Sequence, residues 1–272
     1  MSDSQPGTVI IGGGVIGGLC AWYLIQEGRS VTIIDKGDFG AACSQANCGF
    51  VAPSHVYPLP GPGKLAMGLK GLFQRDGALK IRPGLNASLW HWLLKFASRC
   101  NATDAMHAGE ARTSLLQSSR QLYDDLIADN ALDVEWKTDG LLFVYRDRER
   151  FEEHEELDQE LRLQFDVGAE RIEGDALCEL EPALKPGLAG AYHYLGDAHL
   201  RPDRLMSELR RLLEGAGARI VTNSEVTGFR KSNGRIDAVV TDGEDIPGKE
   251  FVVATGAWAP ELTDMLLSLI HI

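Results

Sequence analysis

Thr8-Val9-Ile10-Ile11-Gly12-Gly13-Gly14-Val15-Ile16-Gly17-Gly18 decides how the rest of the chain is read. Its first four residues are a short β-branched run, the pattern of a buried strand in a parallel sheet. Gly12, Gly14 and Gly17 follow in G-x-G-x-x-G spacing, and residues 19–25 (LCAWYLI) read as a helix. Each glycine has a physical task. Gly12 permits the tight turn, Gly14 lets the backbone approach a pyrophosphate, and Gly17 lets helix and strand pack closely. Phosphates would then face unpaired N–H groups at the positive end of that helix. A second β-branched strand, residues 30–34, ends at Asp35, about 20 residues past the glycines, where a carboxylate accepts hydrogen bonds from adenosine ribose hydroxyls. In that order these features point to an ADP-containing dinucleotide; the alternative is a tight turn in an ordinary α/β domain.

The 272 residues suffice for one large or two modest domains with a substantial core. A formal net charge of −12 excludes a general nucleic-acid binder, which needs a basic surface. The five cysteines include no C-x-x-C pair and no cluster at metal-ligand spacing, so reduced thiols and no metal are expected. Residues 1–7 lack the charged and apolar regions of a signal peptide. No apolar run reaches the roughly 18 residues of a membrane span, and a cytoplasmic location is expected.

After Asp35, residues 36–55 (KGDFGAACSQANCGFVAPSH) are small, glycine-punctuated and carry few charges. They read as a loop in which backbone N–H groups and the Ser44 hydroxyl reach a ligand directly. With the glycine motif and Asp35, the Gly40-x-x-x-Ser44 turn and Asn47-Cys48-Gly49 resemble the D-amino-acid oxidase superfamily of FAD enzymes. Residues 46–55 and 58–63 (PLPGPG) look most similar to bacterial D-amino-acid dehydrogenases. The similarity continues through residues 72–75, 181–184 and 197–202, and covers nearly the whole chain except its last few residues.

That resemblance implies an α/β fold: a Rossmann-like FAD-binding domain interleaved with an α+β substrate domain of mainly antiparallel sheet, incomplete here. It assigns residues 1–56, 101–132 and 197–266 to the FAD-binding domain, 57–100 to an insertion and 133–196 to the first part of the substrate domain. It implies FAD contacts at Gly12, Gly14, Val15, Ile16, Gly17, Asp35, Lys36, Ala42, Ser44, Asn47, Gly49, Val51, Val226, Thr255, Gly256 and Trp258. Val226 would meet the adenine through its backbone, and the Ala254-Thr255-Gly256 turn would close over the dinucleotide. Gly256 suits such a close approach at a strand end. An NAD enzyme stays open on Asp35 alone, but the Ser44 loop and the Ala-Thr-Gly turn have no ready role in one.

Residues 58–63 should be extended, because alternating prolines forbid helix. Residues 64–99 hold seven basic side chains (Lys64, Lys70, Arg75, Lys80, Arg82, Lys95, Arg99) against one acid, Asp76. Leu89, Trp92, Leu93, Phe96 and Ala97 recur at helical spacing, so residues 86–100 read as an amphipathic helix. It is either a lid packed on the protein's own core or a contact with a membrane surface. Residues 103–132 predict one long helix or two, and 134–136 with 141–145 a β-hairpin through Asp139-Gly140. Residues 147–164 are charge-dense and read as a solvated helix face. Residues 174–180 form a short helix stopped at Pro182, and 188–195 a half-buried strand. There Tyr192, His193 and Tyr194 either offer polar tips to a cavity or are sheet-surface aromatics. Residues 204–214 predict a helix; 219–222 and 225–229 predict strands that pair with 235–241 across Asn233-Gly234, and 251–254 another strand. Residues 267–272 (LSLIHI) resemble a cloning scar, so a carboxyl-terminally truncated gene is expected.

The resemblance implies that the α-hydrogen of a D-amino acid leaves as hydride to the flavin. An imino acid results, then an oxo acid and ammonia, with electrons passing to a respiratory quinone at the cytoplasmic face of the inner membrane. The same fold hosts glycine- or sarcosine-type amine oxidases and 2-hydroxy-acid dehydrogenases, and an inactive FAD-binding fragment is a further alternative. His55 and Tyr57, just past the flavin loop, are the candidates for lining the active site. Substrate-carboxylate ligands would lie in the missing part, and oligomeric state is not legible.

Overall fold

The computed structural model describes residues 7–63 and 87–270. In chain order its elements are β1 (Thr8–Ile11), α1 (Val15–Gln26), β2 (Val31–Ile34), β3 (Phe50–Val51), α2 (Ala87–Ser98), α3 (Ala102–Asp129), β4 (Leu141–Tyr145) and α4 (Arg148–Phe165). There follow β5 (Glu170–Glu173), α5 (Leu177–Leu180), β6 (Gly190–Tyr194), β7 (Ala198–His199), α6 (Pro202–Gly215) and β8 (Arg219–Val221). The chain continues through β9 (Val226–Ser232), β10 (Arg235–Thr241), β11 (Ile246–Pro247), β12 (Glu250–Val253) and α7 (Ala259–Ile270). The described residues of 1–49, 130–136 and 200–272 form one compact unit, and those of 50–129 and 137–199 a second.

The first unit is a parallel sheet in the order β12-β1-β2-β8. Strand periodicity explains its layers, because alternate side chains leave opposite faces. Ile10 and Ile33 pack on one face with Ala21 of α1 and with Met206, Leu209 and Leu213 of α6. Val9, Ile11 and Ile34 pack on the other with Phe229 of β9, Val239 of β10 and Leu262 of α7. Each fully buried aliphatic side chain contributes about 2 kcal/mol. The β9–β10 hairpin turns at Asn233 and Gly234, both at positive φ, as the two-residue signal requires.

The second unit is built on an antiparallel sheet in the order β4-β6-β5. Helix α4 supplies Phe151, Leu161 and Phe165 to a core shared with Tyr192 and Tyr194 of β6 and with Val56. Asp147 caps α4 by accepting a hydrogen bond from the Arg150 amide at 3.0 Å. Strands β3 and β7 make a small antiparallel pair, Phe50 opposite His199 and Val51 opposite Ala198. Residues 102–129 are a single helix.

Three expectations change. Residues 134–136 do not pair with β4, whose partner is β6; Glu135 sits at φ 52°, which breaks an extended run, and the Val134 carbonyl accepts from the Arg201 amide. The strand in 188–195 is fully buried rather than half-buried, because β6 is central in its sheet. Strand β8 joins the parallel sheet beside β2 instead of pairing with β10. Hydrogen bonds from Asp35 N to Val221 O and from Ser224 N to Asp35 O hold it there. Lys64, Lys70, Arg75, Lys80 and Arg82 lie outside the described residues. Among the described residues no helix is long and apolar enough to cross a membrane.

Candidate functional site

In the first unit the glycine turn is held by sterics and by two side chains. Gly12 has φ 111°, and a Cβ there would stand 2.5 Å from the Ala254 carbonyl oxygen. At Gly17 a Cβ would stand 1.9 Å from the Gly12 oxygen, so α1 could not seat against the end of β1 with any larger residue. Gly14 is different. Within 4 Å its Cβ would meet only Ser44 Oγ, at 3.0 Å, so its backbone faces open space.

Asp35, at the end of β2, accepts from the Gly13 amide at 2.7 Å through Oδ2 and from the Gly37 amide at 2.8 Å through Oδ1. An ionised carboxylate offers about four acceptor positions, so further donors can be received. The Ser44 hydroxyl accepts from the Val15 amide at 2.9 Å. Asn47 staples its own turn: Nδ2 donates to Ser44 O at 2.8 Å, and Oδ1 accepts from the Gly49 amide at 2.7 Å. The Lys36 ammonium lies 4.8 Å from the centre of the Trp258 ring, a cation–π contact. Ile16 and Ala42 are exposed beside this turn in sequence, while Val226 opens β9 and packs on the Val9–Ile34 core.

These groups fit a dinucleotide. Gly14, at the N-cap of α1, has no side chain to cap it and the first turn carries no acidic residue; Ser44 takes only the Val15 amide, which leaves this positive end suited to an anion. Beside the turn, Thr255 Oγ1 is buried without a hydrogen-bond partner. Gly256 follows at φ 57°.

The second unit holds Val51, His55 and Tyr57. His55 is exposed, its ring 5.6 Å from that of Phe143, and its carbonyl accepts from Arg112 Nη2 at 2.9 Å. Tyr57 packs edge-on against Phe165, and its buried hydroxyl faces the Glu160 carboxylate. Burial, then the Glu160 carboxylate, push its pKa well up.

Sequence reasoning passed over a cavity of about 320 Å³ in this unit, whose lining includes Ser54, Arg120, Asp124, Tyr194 and Asp197. Asp197 is 1 % exposed. Its oxygens accept from the Ser54 amide at 2.9 Å and the Ser54 hydroxyl at 2.5 Å. Burial raises its pKa and outweighs the Ser54 bonds and the His55 and Arg120 charges, which lower it. The signal was weak: an aspartate between Gly196 and Ala198 reads as a turn.

Residues 8–271 match the family described as "DAO: FAD dependent oxidoreductase". The chain belongs to the DAO family. It is 31% identical over 250 residues to a D-amino acid dehydrogenase of Helicobacter pylori, covering 92% of this chain and 59% of that relative. The chain thus spans about three fifths of the length of the curated relatives it matches. In fold it is similar to the glycine oxidase of Bacillus cereus, with TM-score 0.64 at 20% identity over 96% of this chain and 58% of that one. It is likewise similar to an L-alpha-glycerophosphate oxidase of Mycoplasma pneumoniae solved with FAD bound, with TM-score 0.62 at 20% identity over 96% and 56% of the two chains. The family's cofactor is FAD, and the groups around Gly14, Asp35 and Ser44 suit it.

Gly14 has extended backbone that any residue adopts. Gly14→Ala, which must displace Ser44 Oγ by only a few tenths of an ångström, should lower the melting temperature slightly while weakening FAD binding at least tenfold, read by flavin fluorescence titration. Asp197→Asn should test the buried carboxyl. Its raised folded pKa means the native state keeps a proton that the unfolded chain has lost, so its stability contribution falls as pH rises from about 3.8 through the folded value. The asparagine variant should gain on wild type in urea midpoint across that window.

Proposed function

We propose that the protein is an FAD-dependent dehydrogenase of D-amino acids that hands its electrons to a quinone. The observation that carries this reading is the Gly13–Asp35 and Val15–Ser44 hydrogen-bonded turn in a chain 31% identical to a D-amino acid dehydrogenase. When bound, the flavin supplies the hydride acceptor. The chain's own part is to hold and orient. The first turn of α1 would hold the pyrophosphate, Asp35 would receive the ribose hydroxyls, and the Thr255 hydroxyl would gain a partner. His55 and Tyr57 line the substrate side, Tyr57 as a neutral phenol. The family assignment also supports interleaved FAD-binding and substrate domains.

Anaerobic mixing of the full-length flavoprotein with amino acids tests this. D-alanine should bleach the flavin, whereas glycine, sarcosine, L-alanine and 2-hydroxy acids should act at least tenfold more slowly. Preferential bleaching by any of those overturns the substrate assignment, and a colourless folded protein that takes up no FAD overturns the whole reading.

Membrane contact is supported by α2 and its surroundings. None of its residues is buried, Trp90, Trp92 and Leu94 are more than half exposed, and the sequence from 64 to 99 is strongly basic. A local basic face attracts anionic lipid within a Debye length of about 8 Å whatever the protein's total charge. Trp90→Ala with Trp92→Ala should cut cosedimentation with anionic vesicles at least threefold; unchanged pelleting argues for a lid instead.

A further inference from the structure

His154 bridges two tyrosines. Its Nδ1 lies 2.7 Å from the Tyr145 hydroxyl and its Nε2 2.9 Å from the Tyr194 hydroxyl. Tyr194 is 3 % exposed and lines the cavity that also holds Asp197. Tyr145 and His154 are only partly buried, so the three groups lead from the buried wall of this half-open cavity toward solvent on the far side of β6. The ring is further fixed by Tyr192, 4.3 Å away between ring centres, and by Phe143 at 6.2 Å.

We propose that Tyr194, His154 and Tyr145 are a proton relay that drains this cavity, and that the proton comes from the ammonium group of an amine bound there. The proposal rests on the amine-oxidation reading above. An amino acid binds as an ammonium and must become a neutral amine before its α-hydrogen can leave as hydride. The cavity wall carries the carboxyl groups of Asp124, Asp166 and Asp197 against the single guanidinium of Arg120, which pairs with Asp124. That balance favours a cation.

The step conserves every proton. The ammonium gives one to Tyr194 Oη as the tyrosine's own passes to His154 Nε2. The Nδ1 proton then moves to Tyr145 Oη, whose own proton goes to water. The amine is left neutral, the imidazole is left in its other tautomer, and nothing is oxidised.

The charges around the ring suit this use. Burial lowers the His154 pKa, and Asp158, one turn on in α4, offsets part of that. Tyr145 from β4 and both Tyr192 and Tyr194 from β6 have pKa values raised chiefly by burial, so all three stay as phenols. Arg171 of β5 is engaged with Glu152 and Glu155. A neutral imidazole between two phenols has one donor and one acceptor nitrogen, as a relay requires.

His154→Gln separates relay from scaffold. Glutamine can donate to one tyrosine and accept from the other, but an amide does not shuttle protons. In the full-length flavoprotein with D-alanine, anaerobic flavin reduction at pH 7 should slow at least tenfold with KM little changed, and the deficit should shrink as pH approaches that of the free amine. Added imidazole should restore His154→Ala at least threefold. Wild-type rates and pH profile in His154→Gln overturn the relay. Histidine ¹⁵N shifts of the substrate-free protein read the ring without any turnover: exchange between both neutral tautomers supports the relay, and one frozen tautomer or an imidazolium overturns it. If the wild-type flavin is bleached by no amine, the functional reading fails and these shifts alone decide the relay.

Discussion

Gly17 lies so close to the Gly12 carbonyl that no side chain fits between them. This contact sets the distance of α1 from the sheet, and much of the first unit follows from it. With α1 seated, Ala21 reaches Ile10 and Ile33, and α6 fills the remaining surface with Met206, Leu209 and Leu213. The same seating brings the Gly13 amide onto Asp35 Oδ2 and the Val15 amide onto Ser44 Oγ. Packing and recognition are therefore one constraint here. The turn suited to an anionic ligand is also what lets helix and sheet share a core.

The second unit solves a different problem, that of polar groups inside an aromatic core. Asp158 is 6 % exposed, yet Arg162 Nε and the Ala169 amide each donate to it at 2.7 Å. Its carboxylate thus stays satisfied beside Phe151 and Phe165. His154 and the Ser54–Asp197 pair are handled in the same way. An unpaired polar atom at such depth would cost about 1–3 kcal/mol, so paired groups of this kind specify geometry as well as chemistry.

What the sequence made legible was whatever depends on local backbone chemistry. The run at Thr8, the glycine spacing, Asp35 and the Asn233-Gly234 turn each impose a conformation on a few residues, and each stands where its pattern puts it. Partner choice between strands was harder. Arg219–Val221 pairs with β2 although a hairpin lies next to it in sequence, because Asn223, at φ 53°, and the bonds through Asp35 turn the chain away. Helix α4 shows a third kind of limit. Phe151, His154, Asp158, Leu161 and Phe165 recur at alternating steps of three and four, a regular stripe that is buried except at half-buried His154. Two polar members hid it within a charge-dense segment, so the helix was legible and its inward histidine was not. The Tyr192–Tyr194 strand left both of its readings open for a similar reason, since pattern alone does not say whether a strand is central.

The pairing of β1 with β12 has a bearing on how this protein is made. Thr8 lies beside Glu250, and the two are separated by 242 positions. Closing so long a loop adds little to the equilibrium cost, which grows only logarithmically with length. Its effect falls on timing. A nascent chain makes β1 long before β12 and cannot complete that sheet until β12 has left the ribosome. During synthesis one flank of β1 stays open to any passing strand, so the yield of native protein in a cell depends on holding that edge unreacted as much as on final stability.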